Sequence, residues 1–272
     1  MTRQIVEGKN TEINKDSTWK QSANSLINFM RRREYLEMIL RNMAIIPRYY
    51  IEYVDYLNID TMPRVAFPMT CFCDIPLNKL SSHIEFYGKY GIGLDKEGWG
   101  IKKGIQPVKY VNPESDLLKD FIEAFTLALD NKIKIPEECM PLKDYLVSEL
   151  VYMKPIKGVM DRSGVEKSRI FKDECEWRYI PRITESMEIP LILPLSVVNN
   201  AATSAYSEVL KAHQETWLDF KVDDIKYIVV PNEQENTAMI DFIYNELENL
   251  TNSTRLQLIS KLFVMDRFQE DI

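Results

Sequence analysis

Phe67–Val111 reads FPMTCFCDIPLNKLSSHIEFYGKYGIGLDKEGWGIKKGIQPVKYV, and its glycines decide how the chain is read. Six of the nine glycines in the 272-residue sequence fall between Gly88 and Gly104. Glycine reaches backbone conformations closed to other residues, so the chain here turns sharply or approaches another group closely. Two strand-like runs flank the cluster, Thr70–Ile75 and Gln106–Val111. Between them lie Asp74, His83 (one of two histidines) and the aromatics Phe86, Tyr87, Tyr90 and Trp99. Such a stretch describes a β-rich core with tight turns, and equally a pocket built on that core.

Upstream, residues 1–20 are polar and read as a loosely held segment. Asn24–Met43 reads as a first helix, with Leu26, Phe29, Met30, Leu36, Ile39, Leu40 and Met43 at three- and four-residue steps. A short strand over SLINFM followed by a helix from near Arg32 fits the same residues. Pro47 stops the helix, and the aromatic run Arg48–Tyr53 reads as a strand, a lid or a pocket wall.

Downstream, Ser115–Asp130 has helical spacing, Leu142–Val151 is a short apolar helix or the approach to a strand, and Lys154–Lys167 reads as a polar loop. In Phe171–Pro181 (FKDECEWRYIP) a strand would put Glu174, Glu176, Arg178 and Ile180 on one face, and Cys175, Trp177 and Tyr179 on the other. Two carboxylates beside a guanidinium are unusual on a core strand. They read as a solvent-facing salt-bridge face, or as a ligand-holding carboxylate with Arg178 as its partner. Leu191–Val197 reads as a strand or helix start and Ala201–Gln214 as a helix. Ile225–Val230 is a strand stopped by Pro231. Glu235–Leu250 and Ser253–Phe268 read as two closing helices. The expected fold class is α+β: one domain over residues 21–272, with a mixed or antiparallel β core formed by Thr70–Ile75, Gln106–Val111, Cys175–Pro181 and Ile225–Val230, and a helical end over 235–268.

Composition narrows the function. A formal net charge of −7 argues against a general grip on nucleic acid. No run of 18 apolar residues is present to span a membrane. Four cysteines and two histidines are a poor set for a zinc site, so no metal is expected, and reduced thiols fit a cytoplasmic protein. The phosphate-cradling GxxxxGK[ST] loop, the GxGxxG turn and the GxSxG elbow are all missing. What remains is Asp74, His83, Tyr87, Tyr90, Glu176 and Arg178 in a frame of aromatics and glycines. Aromatic faces stack on rings, and a carboxylate can stabilise positive charge on a ribose as a glycosidic bond loosens.

Taken in order, Cys71-Phe-Cys73-Asp74-Ile-Pro-Leu, His83, Tyr87-Gly-x-Tyr90-Gly-Ile-Gly-Leu, Pro107-Val-x-Tyr110 and Glu176-Trp-Arg178 resemble the AbiGi family of abortive phage resistance proteins. The upstream run Phe29…Leu36…Ile39-Leu…Pro47-Arg48-Tyr49…Glu52 and the late pair Ile225–Val230 and Ile240–Ile243 are similar too, so the resemblance covers roughly residues 25–265. It implies a bacterial role in phage defence, as the antitoxin of a toxin-antitoxin gene pair, with a protein partner.

The layout also resembles ADP-ribosyltransferase-like folds. By that likeness the early strand falls on Ser25–Met30, the aromatic near the nicotinamide on Tyr87 or Tyr90, and the late glutamate on Glu176. Where related sequences tend to carry a histidine on the early strand, this chain has Asn28, which can hydrogen-bond a ribose hydroxyl but supplies no charge. The resemblance therefore implies an antitoxin-like or regulatory protein that binds a partner or a nucleotide. The alternative is an NAD-dependent ADP-ribosyltransferase or NAD glycohydrolase, with Glu176 catalytic and Asn28, Asp74, His83, Tyr87, Tyr90 and Arg178 holding the ligand. No cofactor is fixed, and NAD is the candidate substrate or ligand. Asp74, Tyr87 and Glu176 are expected to line one cleft.

Overall fold

In the computed structural model the described residues are 22–59, 62–129, 136–162, 165–193 and 195–269. The expected loose segment 1–20 lies outside them. In chain order the strands and helices are β1 (Ser25–Met30), α1 (Arg33–Asn42), β2 (Ala44–Ile45), β3 (Arg48–Tyr53), β4 (Arg64–Cys73), α2 (Ser81–Tyr87), β5 (Tyr90–Asp95), β6 (Gln106–Pro107), β7 (Lys109–Val111), α3 (Asp116–Leu129), α4 (Met140–Val151), β8 (Met153–Pro155), β9 (Lys157–Arg162), β10 (Val165–Ile170), β11 (Glu176–Tyr179), α5 (Asn200–Lys211), β12 (Leu218–Asp219), β13 (Ile225–Val230), α6 (Glu233–Glu246), α7 (Asn252–Ile259), β14 (Leu262–Val264) and α8 (Met265–Gln269).

An eight-stranded sheet organises the chain, in the order β14-β13-β5-β1-β4-β11-β6, with β3 also paired to β4. It is mixed: β13 and β14 run parallel and the other pairs in it are antiparallel. The α+β class holds. The four expected core segments all contribute to this sheet. Gln106–Val111, however, divides: β6 stays on the sheet while β7 leaves it to pair with β8.

Two strands of the sheet look unlike strands in the sequence. β1 is central, paired with β5 over six residues and with β4 at Ile27–Cys73. Its Leu26 and Met30 pack on one face and its Ile27 on the other. A strand buried on both sides loses its polar alternation, and its apolar residues then blend into the helical spacing of α1. The strand-then-helix reading of Asn24–Met43 is therefore the one the structure adopts. β5 is YGIGLD, whose glycines mark turns in isolation. Here Gly91 leaves room for the Phe29 ring, which an added Cβ would meet at 2.9 Å. Gly88 at the end of α2 is a true turn glycine, with φ +130° and the Met30 carbonyl oxygen 2.2 Å from where a Cβ would sit.

Three further readings are corrected. Lys154–Lys167 is not a loop: it supplies the end of β8, all of β9 and the start of a β9–β10 hairpin. Ser253–Phe268 is interrupted by β14, whose Leu262–Val264 add a parallel edge beside β13. Leu195–Val197 is a single 3-10 turn.

Alternation along the strands sorts the core into two sides. Leu26, Phe72, Ile92, Leu94 and Ile228 face one side, under α1 and α6. Ile27, Cys73 and Val229 face the other, under α2 and the start of α8. Further along that second side, Phe67 and Met69 pack beneath α3 and α4.

Candidate functional site

β11 carries the chemistry. Its Glu176 lies opposite Cys73 and its Arg178 opposite Cys71, so both project on the α2 side of the sheet. Arg178 is wholly buried, and Glu176 nearly so. Arg178 Nε donates to Glu176 Oε1 at 2.6 Å, its Nη1 to the Val151 carbonyl at 2.8 Å and its Nη2 to Glu52 Oε2 at 2.8 Å. On the other side of Glu176, Lys154 Nζ donates to Glu176 Oε2 at 2.9 Å and to Glu174 Oε2 at 3.3 Å. Glu174 Oε1 accepts from Tyr87 Oη at 2.6 Å and from Arg169 Nε at 3.2 Å. The groups form an alternating series, Glu52–Arg178–Glu176–Lys154–Glu174–Arg169, with three charges of each sign.

Burial alone would push these groups toward their neutral forms. For Glu176 burial acts against the charge, but Arg178 and Lys154 outweigh it and hold the carboxyl well below the usual carboxylate range. Burial likewise opposes the charges of Lys154 and Arg178, and the facing carboxylates overcome it, raising both well above their ordinary values. Glu176 thus stays ionised, with hydrogen bonds to cations on both oxygens. For nearby acids desolvation outweighs the same cations: the Cys71 thiol and the Tyr87, Tyr110 and Tyr56 hydroxyls are all pushed up, chiefly by burial. Tyr110 Oη accepts from the Glu176 backbone N–H at 2.8 Å and so fixes the start of β11.

The structure divides the seven expected site residues between two sides of the sheet. Glu176, Arg178, Tyr87 and His83 come together on the α2 side, where His83 stacks on Tyr87 at 4.4 Å and lies 5.5 Å from Phe29. Asp74 does not join them. Its carboxylate binds Lys96 Nζ at 3.0 and 3.1 Å, and Lys96 lies 5.9 Å from the Trp177 ring, which alternation places opposite Glu176. Asn28 shares the side of Leu26 and Met30 and donates from Nδ2 to the Cys71 carbonyl at 2.8 Å. Tyr90 also lies on that side, its hydroxyl pushed up to about 12 by burial and by a hydrogen bond to Glu235. Asp74, Tyr87 and Glu176 therefore do not line one cleft. The cause is register: Cys73 of β4 and Ile27 of β1, not Asp74 and Asn28, align with Glu176.

Three members of the charge series, Glu52, Lys154 and Arg169, were not singled out from the sequence, and Glu174 stood beside Glu176 there without being a candidate site residue. Lys154 stands in the apolar run Val151-Tyr-Met-Lys-Pro, and a lone charge in such a run is the signal that it must find a buried partner. Glu52 stands among aromatics in the same way. Glu174 reads in the sequence as part of an extended strand with Glu176 but sits in the turn before β11, and Arg169, on β10, had no comparable sign. The series reaches a surface cleft at one end, where Glu52 and Lys154 join Tyr53, Met160 and Phe171 in its lining. Among the described residues, no group of three or more His, Cys, Asp or Glu side chains is placed to hold a metal ion.

Comparison with known proteins decides the family. The family model described as "Putative abortive phage resistance protein AbiGi, antitoxin" matches residues 43–231. The chain is also 35% identical over 250 residues to the "Abortive phage resistance protein AbiGi" of Lactococcus lactis subsp. cremoris, covering 84% of this chain and 100% of that protein. The chain belongs to the AbiGi family. The matched span of the AbiGi model contains Glu52, Lys154, Arg169, Glu174, Glu176 and Arg178, the whole of the charge series. No solved structure matches the chain. Among the described residues, no helix is long and apolar enough to cross a membrane.

Proposed function

We propose that this AbiGi-family chain takes part in defence against phage as an antitoxin-like protein of the cytoplasm, acting by binding a toxin partner. Its scaffold keeps the order of an ADP-ribosyltransferase-like layout without that layout's working site. Membership of the AbiGi family supports the defence role. Four free cysteines suit a reducing compartment.

The observation that carries the partner-binding reading is the state of Glu176. A catalytic glutamate of the expected kind needs a free oxygen facing the ribose and a partner on the early strand facing the same ligand. Here both Glu176 oxygens bind cations, and Asn28 faces the opposite side of the sheet. Glu176 serves as the central anion of a structural ion chain. That chain ties β3, β8, β10 and β11 together.

One observation favours the NAD-turnover reading: His83, Tyr87 and Phe29 form an aromatic group on the same side as Glu176. Co-expression separates the two readings. Cells carrying the toxin gene encoded beside this one should grow when the wild-type chain is present, and a Tyr87→Phe variant should protect equally well. Toxicity from this chain expressed alone would overturn the antitoxin reading.

A further inference from the structure

α3 and α4 leave a groove between them that no described residue fills. Leu117 and Phe121 of α3 form one wall, Tyr145 and Leu146 of α4 the other, and Val111 and Met153 the floor. Its volume is about 650 Å³, room enough for several side chains. Leu117 is 54% exposed and Tyr145 55%, and Leu142, one turn before Leu146, is 58% exposed. Of the sixteen large apolar side chains exposed among the described residues, six lie on these two helices, and two of those, Leu117 and Tyr145, line the groove. Scattered exposed leucines are ordinary, but a cluster around an apolar groove marks an interaction surface.

Charge decides what that surface accepts. The two helices carry Asp116, Asp120, Glu123, Asp144 and Glu149 against Lys119 and Lys143. With Lys109 of β7, which lines the groove and pairs with Glu149, the rim still has five acids to three lysines. A second copy of the chain docking through the same face would set this acidic rim against itself, as a two-fold interface requires. An apolar stripe flanked by lysines or arginines meets both the groove and its rim. The lining spans Leu117–Phe121 of α3 and Tyr145–Glu149 of α4, about one turn of each helix.

We propose that the α3–α4 groove binds a basic amphipathic helix of a partner protein, its apolar face seated between Leu117 and Tyr145 and its cations over the acidic rim. The inference rests on the partner-binding reading above and locates the surface that reading requires.

The test uses two fluorescent 14-residue helical peptides with the same leucine stripe, one flanked by lysines and one by glutamates. Titrated with the full chain and followed by anisotropy, the Leu/Lys peptide binds and the Leu/Glu peptide does not. Leu117→Asp and Tyr145→Ser, both at exposed positions, each weaken Leu/Lys binding by about tenfold or more without changing the thermal midpoint. Equal binding of both peptides, no binding of either, or indifference to both variants overturns the groove. Association of the chain with itself that Leu117→Asp abolishes overturns it as well. The co-encoded toxin is then added as competitor. Displacement of the peptide joins the groove to the antitoxin role. If the peptide binds as described but the toxin does not bind the chain at all, the antitoxin reading fails and the groove stands.

Discussion

Arg178 donates from Nε to Glu176 Oε1 at 2.6 Å, two residues along one strand, and the guanidinium is shielded completely from water. Alternation puts the two side chains on the same face, and burial makes each depend on the other. A buried ion pair contributes little compared with well-packed apolar residues, yet losing one partner is costly because the other is left charged without compensation. Glu176→Gln is therefore expected to destabilise the protein by about 3 kcal/mol or more. Arg178→Met in the same background should recover part of that loss. Urea unfolding of the two single variants and the double variant gives the coupling directly, and additive effects would mean that the pair does not act as a unit.

The pH dependence of stability follows from the same groups. The Glu176 carboxyl is held below its ordinary value, so its contribution is complete above the unfolded pKa of 4.5 and is lost as pH falls through that value and below. Lys154 is raised, so its contribution is complete below the unfolded pKa of 10.5 and is lost only at higher pH. Between about pH 6 and 9 these groups leave stability flat. Chemical denaturation across that range, extended to pH 3.5, should show a plateau and an acid limb that Glu176→Gln flattens.

Lys154→Met reverses the slope. Glu174 and Glu176 then face each other in a buried site without the cation between them. A carboxyl in that position holds its proton above its unfolded value, which favours the folded state at lower pH. The variant should be more stable at pH 5 than at pH 7, an interval over which the wild type changes little. The same slope in both proteins would show that Lys154 does not bridge the two carboxylates.

Much of the sheet was legible where a segment meets water on one side or ends at a clear breaker. Ile225–Val230 is read with its final boundaries, because a run with five β-prone residues in six stops at Pro231. The strands hidden on both faces were harder to read, and β1 stood only as the alternative to a longer helix. β1 merged into the periodicity of α1, and the glycines of β5 looked like turns until the rings they make room for were in place. The site divided in the same manner. Period two correctly put Glu176 and Arg178 together. No local pattern tells which β1 residue lines up with them, because register is fixed by pairing between strands far apart in the chain. Lys154, which with Arg178 saturates Glu176, comes from a short strand and Glu174 from a turn, and only the folded chain brings Lys154 to 2.9 Å from Glu176 and 3.3 Å from Glu174.

Gly88 carries the sharpest constraint on the backbone. It ends α2 at φ +130°, with Met30 backbone atoms where a side chain would begin. Gly88→Ala combines a disfavoured φ with a clash against backbone that cannot rotate away, and is expected to cost about 3 kcal/mol or more. It should also loosen Tyr87, the preceding residue, from Glu174. A thermal midpoint within a degree or two of wild type would contradict this account of the turn.

Nicotinamide release from NAD tests the central claim most directly. The purified chain and its Tyr87→Phe and Glu176→Gln variants would be assayed with and without lysate from phage-infected cells. With Glu176 saturated by Arg178 and Lys154 and Asn28 on the opposite side of the sheet, the account predicts no release above the no-protein control in any sample. Release by the wild type that Glu176→Gln abolishes, in a variant still folded by circular dichroism, would contradict it and make Glu176 a working catalytic group.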